Sequence, residues 1–297
     1  MTPQLLFLVG LFIVIVALTL TRKQWAPAVT HALPSIWRIA KITVAEARRR
    51  RVLQAVVILV VLILLSMTFF SYLSPKEQSR MLISGGLSAI TVFGILLSIF
   101  VGAFLIPQEL ESRTVYAILS KPVRRFEFVV GKYVGALIIL AVITAVMTAV
   151  LIGVLVLQDH LVPDLPESVF DPNIGGVIFA SVMSFCAVAV LTAVIVLIST
   201  ISSTTMTVIS AFIIWAVGSL QSTINDLAQN AEVPATKLLL KIIYTVLPKL
   251  ENFDFRNEVS NYLNFSYMSG WAAMVQGIGY AIVVLILASI FFNDRQV

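Results

Sequence analysis

Val177-Ile-Phe-Ala-Ser-Val-Met-Ser-Phe-Cys-Ala-Val-Ala-Val-Leu-Thr-Ala-Val-Ile-Val-Leu-Ile-Ser199 carries no charge from end to end. A helix rises about 1.5 Å per residue, so roughly 20 apolar residues cover the hydrocarbon core of a bilayer. This run is long enough to cross it. Working outward, comparable uncharged runs cover residues 204–222 and 271–292 on one side and 128–157, 81–106 and 52–73 on the other, with a shorter one at 5–20. The chain therefore reads as an all-α integral membrane protein with seven spans. Composition agrees: 59% hydrophobic against 12% charged residues lies well outside the soluble range of about 45–50% and 25%.

Several function classes are disfavoured at once. The formal charge of +5 is too modest, and the spans too apolar, to suggest nucleic-acid binding. Cys186, the single cysteine, lies inside an apolar run, and the two histidines, His31 and His160, are far apart, which leaves little for a metal centre. Transporters driven by ions or protons keep ionisable groups at depth, because a charge there is expensive. The six core runs hold only Lys132, near one end, and it reads as a lysine that snorkels to the interface. Serine and threonine crowd residues 199–210 with no histidine or carboxylate nearby to activate a hydroxyl. They read as a polar turn with hydrogen bonds between helices.

Orientation follows from the basic residues, which stay on the cytoplasmic side. If residues 21–51 and 107–127, Lys132 just beyond them, and the carboxy terminus lie inside, the inner face carries a formal charge of +9 and the outer face −4. That places the amino terminus outside and the carboxy terminus inside. Residues 1–21 are then an extra transmembrane anchor. A cleaved leader is the other reading of that segment, with Ala26-Pro27-Ala28 as the small-residue site. Arg22 and Lys23 follow the apolar stretch and no basic residue precedes it, which is the charge order of an anchor.

Residues 22–51 are expected to hold a cytoplasmic amphipathic interfacial helix, with Trp37, Ala40, Val44 and Ala47 at helical spacing. Arg48, Arg49, Arg50 and Arg51 abut the next span and, with Trp37, read as an inner-leaflet anchor for anionic membrane lipids. Residues 52–297 form the remaining six-span unit, with external segments at 158–176 and 223–270. The first of these is acidic and proline-rich. The second holds Lys237, Lys241 and Thr245 four apart among leucines and isoleucines, the pattern of an apolar helix with one polar stripe, stopped at Pro248.

The inner segment 107–127 has more organisation than a loop requires. Glu109 and Glu111 follow Pro107, where negative charge suits a helix amino end, and Val115, Ile118 and Leu119 give an apolar face before Pro122 stops it. Arg124 and Arg125 come next, then Gly131 and Gly135, a small-xxx-small pair that lets a helix approach its neighbour closely. A short amphipathic helix between two spans suits the receipt of force from a soluble partner.

Here the sequence resembles the type-2 ATP-binding-cassette permeases, in particular the multi-copper-enzyme-maturation branch. The resemblance lies in the order Glu109, Glu111, Thr114, then Leu119, Ser120, Pro122 and Arg125, then Gly131 and Lys132. Arg113 stands where many relatives have glycine. Residues 247–253 and the ending Phe292-Asn-Asp-Arg295 are similar to segments of the same group, so the resemblance covers about residues 33–297. It implies a bacterial cytoplasmic-membrane half-transporter: two permease subunits, identical or related, over a cytoplasmic ATPase dimer that alone binds ATP and Mg. Residues 107–127 would be the coupling helix, the direction export or extraction, and this chain would be neither an enzyme nor a cofactor binder. A non-transporting membrane scaffold that docks a cytoplasmic partner through the same helix is the competing class. A channel or secondary transporter is disfavoured by the uncharged spans, and an intramembrane enzyme by the lack of any acid, base or metal constellation. Scattered methionines and uncharged spans leave the cargo unspecified.

Overall fold

The computed structural model describes residues 29–49, 51–71, 78–105, 125–161, 174–230, 233–261 and 267–294, and every regular element in them is helical. In chain order these are α1 (Val29–Arg48), α2 (Arg51–Ser71), α3 (Gln78–Leu105), α4 (Arg125–Leu161), α5 (Ile174–Ile201), α6 (Thr204–Gly218), α7 (Gln221–Asn230), α8 (Pro234–Val246), a 3-10 turn (Leu250–Phe253), α9 (Arg256–Ser260) and α10 (Tyr267–Asp294). Long Leu, Val, Ile and Ala runs become helices because a helix satisfies its backbone internally where no water can do so. Among the described residues, α3, α4, α5 and α10 are each long and apolar enough to cross a bilayer. The expected first span, residues 5–20, lies outside the described residues.

At the centre stands α5, buried along most of its length. It runs beside α3 in one direction, since Thr91, Gly94, Ser98 and Gly102 meet Ser184, Val188, Thr192 and Ile195 in ascending order. The glycines let the backbones close up: a Cβ on Gly102 would lie 2.7 Å from Ile195 Cγ2. Between them sit two hydroxyl pairs, each at 2.9 Å. Thr192 donates to Val188 O at 2.7 Å, so Ser98 is the donor to Thr192; Thr91 likewise donates to Leu87 O and accepts from Ser184. The polar atoms are therefore satisfied inside an apolar seam.

α10 runs parallel to α5, with Gly270 against Phe179 and Gly277 against Val190. α4 runs the other way, with Leu151 filling the space at Gly86 and Tyr133 donating to Ala189 O at 3.2 Å. The bundle thus has one end carrying Arg125, Ile201 and Phe292 and an opposite end carrying Gln78, Ile174 and Tyr267.

The run 204–222, expected as one straight span, is interrupted. α6 has 15 residues, about 22 Å at the helical rise, which falls short of the roughly 30 Å hydrocarbon core. After a 66° bend the chain continues as α7. Ser219 turns its hydroxyl back to Trp215 O at 2.9 Å, and Gln221 is held by the carbonyls of Leu247 and Pro248 at 3.1 and 3.4 Å. The break falls where the chain turns polar, at residues 219–223, and a distant chain segment holds it. α8 starts with Pro234 in its first turn and ends at Val246, two residues before Pro248, and leaves Leu238, Leu239, Ile242 and Val246 exposed.

Candidate functional site

The start of α4 is where the sequence concentrates its organisation. Glu109, Glu111, Thr114, Val115, Ile118, Leu119, Ser120, Pro122 and Arg124 lie outside the described residues, as does Arg50. Described are Arg125, Gly131 and Gly135 on α4, Trp37, Arg48 and Arg49 on or just after α1, and the backbone of Arg51, which opens α2.

Three fastenings hold this end of α4. Its first turn is tied to the last turn of α10: the Phe128 ring stacks on Phe292 with centroids 5.6 Å apart and planes at 17°, and Arg125 Nη1 donates to Phe292 O at 3.4 Å. One turn further on, α1 lies directly against the two glycines. A Cβ on Gly131 would sit 2.8 Å from Ile39 Cβ and 3.2 Å from Ile36 O; one on Gly135 would sit 2.6 Å from Thr43 Cβ and 3.1 Å from Ala40 O. Backbone meets backbone there, so only glycine fits without a shift. Because 39 and 43 follow 131 and 135 in the same order, α1 runs parallel to this stretch of α4.

The third fastening is ionic. Lys132 is 1% exposed, with Nζ 3.8 Å from Glu46 Oε2 on α1 and 5.8 Å from the Phe128 ring centroid. The expected snorkelling lysine is instead enclosed. α1 covers this part of α4 and brings a carboxylate, so the ammonium finds a counter-charge and a ring face inside the protein rather than water outside it. Glu127, in the first turn of α4, is also buried, and its Oε2 has no hydrogen-bond partner; its charge complements the helix amino end.

The faces of α1 are distributed differently from the expected pattern. Ala32, Ile39, Ala40, Thr43 and Ala47 are buried, whereas Trp37 points away and is 52% exposed, with Lys41 Nζ 5.6 Å over its ring. Arg48 and Arg49 are exposed. Gln54 donates to Arg48 O at 3.1 Å, tying α2 to the end of α1.

Among the described residues no group of three or more His, Cys, Asp or Glu side chains is placed to hold a metal ion. What the geometry does supply is mechanical continuity, from the residues just after 107–124 through α4 to α1 and α10. Sequence reasoning missed Glu46, the enclosure of Lys132, and an ion pair far along the chain, Asp254 with Arg256. The last had a signal, the opposite charges two apart in Phe253-Asp254-Phe255-Arg256, at the short link between the 3-10 turn and α9.

An all-helical bundle with four helices long and apolar enough to cross a bilayer defines an integral membrane protein. More particularly, the family model described as ABC-2 family transporter protein matches residues 37–297, and the chain belongs to that family. It is thus a transmembrane permease subunit of an ABC transporter. No curated protein matches the chain.

Proposed function

We propose that this chain is one half of a dimeric exporter of the multi-copper-enzyme-maturation branch, in a bacterial cytoplasmic membrane with its amino terminus outside and its carboxy terminus inside. It pairs with a second permease subunit, identical or related, and sits on a cytoplasmic ATPase dimer that binds ATP and Mg. Residues 107–127 dock in that ATPase, with Glu109, Glu111, Arg124 and Arg125 as charged contacts and Val115, Ile118 and Leu119 as apolar anchors, while Thr114, Ser120 and Pro122 shape the segment. Trp37 and Arg48 to Arg51 hold the inner leaflet.

The observation that carries this reading is the fastening of α4. Its first residues follow the docking segment directly and are tied to α1 by backbone-close contacts and the Lys132–Glu46 pair, and to α10 by the Phe128–Phe292 stack. Packed interfaces of this kind move as bodies rather than deforming continuously. A displacement of the docked segment is therefore passed to three helices at once.

The test is co-purification from the native host through a tag on the carboxy terminus. A stoichiometric ATPase should accompany the wild-type chain and be lost from the Glu109→Lys/Glu111→Lys variant, with membrane insertion unchanged. A partner without a nucleotide site, or retention of the ATPase by the variant, refutes the assignment.

A further inference from the structure

Between α8 and α10 the chain does not pass over the end of the bundle but turns down into it. Phe253 fills the space at Gly277, where a Cβ would lie 2.7 Å from Phe253 Cζ, and Gly277 is ten residues into α10, about 15 Å below its start at the helical rise. Arg256 Nη1 donates to Ser88 Oγ of α3 at 3.1 Å, and Ser88 is ten residues into α3, again about 15 Å down. Both contacts thus lie well inside the helices they touch. Between them Phe255 meets Phe179 of α5 edge-on, with centroids 5.3 Å apart.

The same short segment grips the break in the α6–α7 span. Leu247 and Pro248 accept from Gln221, and Glu251 Oε2 accepts from Ser222 N at 2.8 Å. It thus joins α3, α5, α10 and the α6–α7 bend. Its aromatic rings are buried, whereas its ionic contact is partly exposed. The Arg256 guanidinium holds both oxygens of Asp254, with Nε 2.6 Å from Oδ1, and the two side chains are 30% and 32% exposed. Beside Phe253 lies a cavity of about 20 Å³ with Thr245, Lys249, Asn252, Gln276 and Tyr280 in its wall, room for about one water. A polar, partly exposed segment therefore reaches in among spans that carry almost no charge.

We infer that residues 247–260 form a plug across the Tyr267 end of the bundle, and that the grip of Arg256, braced by Asp254, on Ser88 is the latch that releases when this end opens. The inference rests on the permease reading for its purpose, but the latch itself is testable without a partner. Cys186, the single cysteine, is half-buried on α5 and packs against the cluster that contains Phe253 and Phe255. It serves as a native reporter.

The experiment measures the rate at which a membrane-impermeant thiol reagent modifies Cys186 in the full chain in lipid nanodiscs. Wild type should react slowly. Ser88→Ala and Arg256→Gln remove a hydrogen bond to a charged group and should speed the reaction about ten-fold or more. Gly277→Ala, which displaces Phe253 without touching any charge, should do the same. Rates equal to wild type in all three, in protein with an unchanged thermal midpoint, overturn the latch. With the variants faster, adding the ATPase and ATP separates the two readings: a nucleotide-dependent rise in the wild-type rate supports both, and its absence leaves the latch standing and counts against the permease cycle.

Discussion

Gly135→Ala puts a single methyl group at the tightest point of the α1–α4 contact. The new carbon would lie 2.6 Å from Thr43 Cβ, 2.9 Å from Thr43 Cγ2 and 3.1 Å from Ala40 O, whereas carbon atoms rest at about 3.5–4.0 Å. α1 must therefore back away by about 1 Å. A gap of that size forfeits up to about half of each dispersion contact along the face, and that face includes Ile39, Ala40 and Ala47, all buried. Overpacking of this kind costs about 1–3 kcal/mol, partly offset by the gain of about 1 kcal/mol when alanine replaces glycine within a helix. Gly153, on the same helix, has nothing within 4 Å of its added Cβ, so Gly153→Ala keeps the helical gain and meets no obstacle. The two variants should differ in sign: thermal unfolding in one detergent should place Gly135→Ala below wild type and Gly153→Ala at or above it, separated by about 1–3 kcal/mol. If Gly135→Ala proved as stable as Gly153→Ala, α1 would not be seated on these glycines and the continuity from α4 to α1 would fail with it.

The ion pair behind that contact should respond asymmetrically. Glu46→Gln leaves an ammonium that is 2% exposed facing a neutral group, whereas Lys132→Met leaves only a carboxylate that is 43% exposed; the first should lower the thermal midpoint more, and the reverse order would mean that Lys132 does not depend on Glu46. In the α3–α5 seam, Thr192→Val removes the acceptor of the Ser98 hydroxyl and should cost about 1–3 kcal/mol, while Ser98→Ala leaves Thr192 bonded to Val188 O and should cost less; equal losses would contradict the donor assignment. Burial alone would raise the Asp254 carboxyl, but hydrogen bonds and charge from Arg256 outweigh it and hold it below its ordinary value. A group depressed on folding contributes stability above its unfolded pKa and loses it as pH falls through the folded one. The midpoint of the wild type should accordingly be flat across neutral pH and fall only at and below the ordinary carboxylate range, and Asp254→Asn should remove that acid-side contribution. A wild-type and variant difference that grew towards alkaline pH would contradict the pairing.

Much of the fold is legible in the residues because hydrophobicity is local and additive. The run 177–199 falls inside α5, and 81–106, 128–157 and 271–292 coincide with α3, α4 and α10 to within a few residues. Pro248 after a striped apolar segment marks the end of α8 for a reason written in the chain, the missing N–H of proline. The candidate site was legible in part. Gly131 and Gly135 announce a close approach by their spacing, but nothing in the spacing says that the approaching helix is α1.

Other features have no local signal. The carbonyls of residues 247 and 248 that hold Gln221 at the α6–α7 bend arrive from more than twenty positions away. Lys132 looks like a residue at a membrane edge until α1, more than eighty positions away, is laid over it. Asp254 and Arg256 fall in a connection that charge counting assigns to the outside, yet their contacts reach Ser88.

By itself, then, the sequence determines that this protein lives in a bilayer and that the runs at 81–106, 128–157, 177–199 and 271–292 become helices long enough to cross it, because burial of an apolar run in lipid needs no partner. Tertiary structure decides which helix meets the glycines, which charge meets the lysine, and how far a connecting strip descends into the bundle. Those outcomes depend on shape and counter-charge supplied from distant positions, and a residue carries no record of its partner until the chain has folded around it.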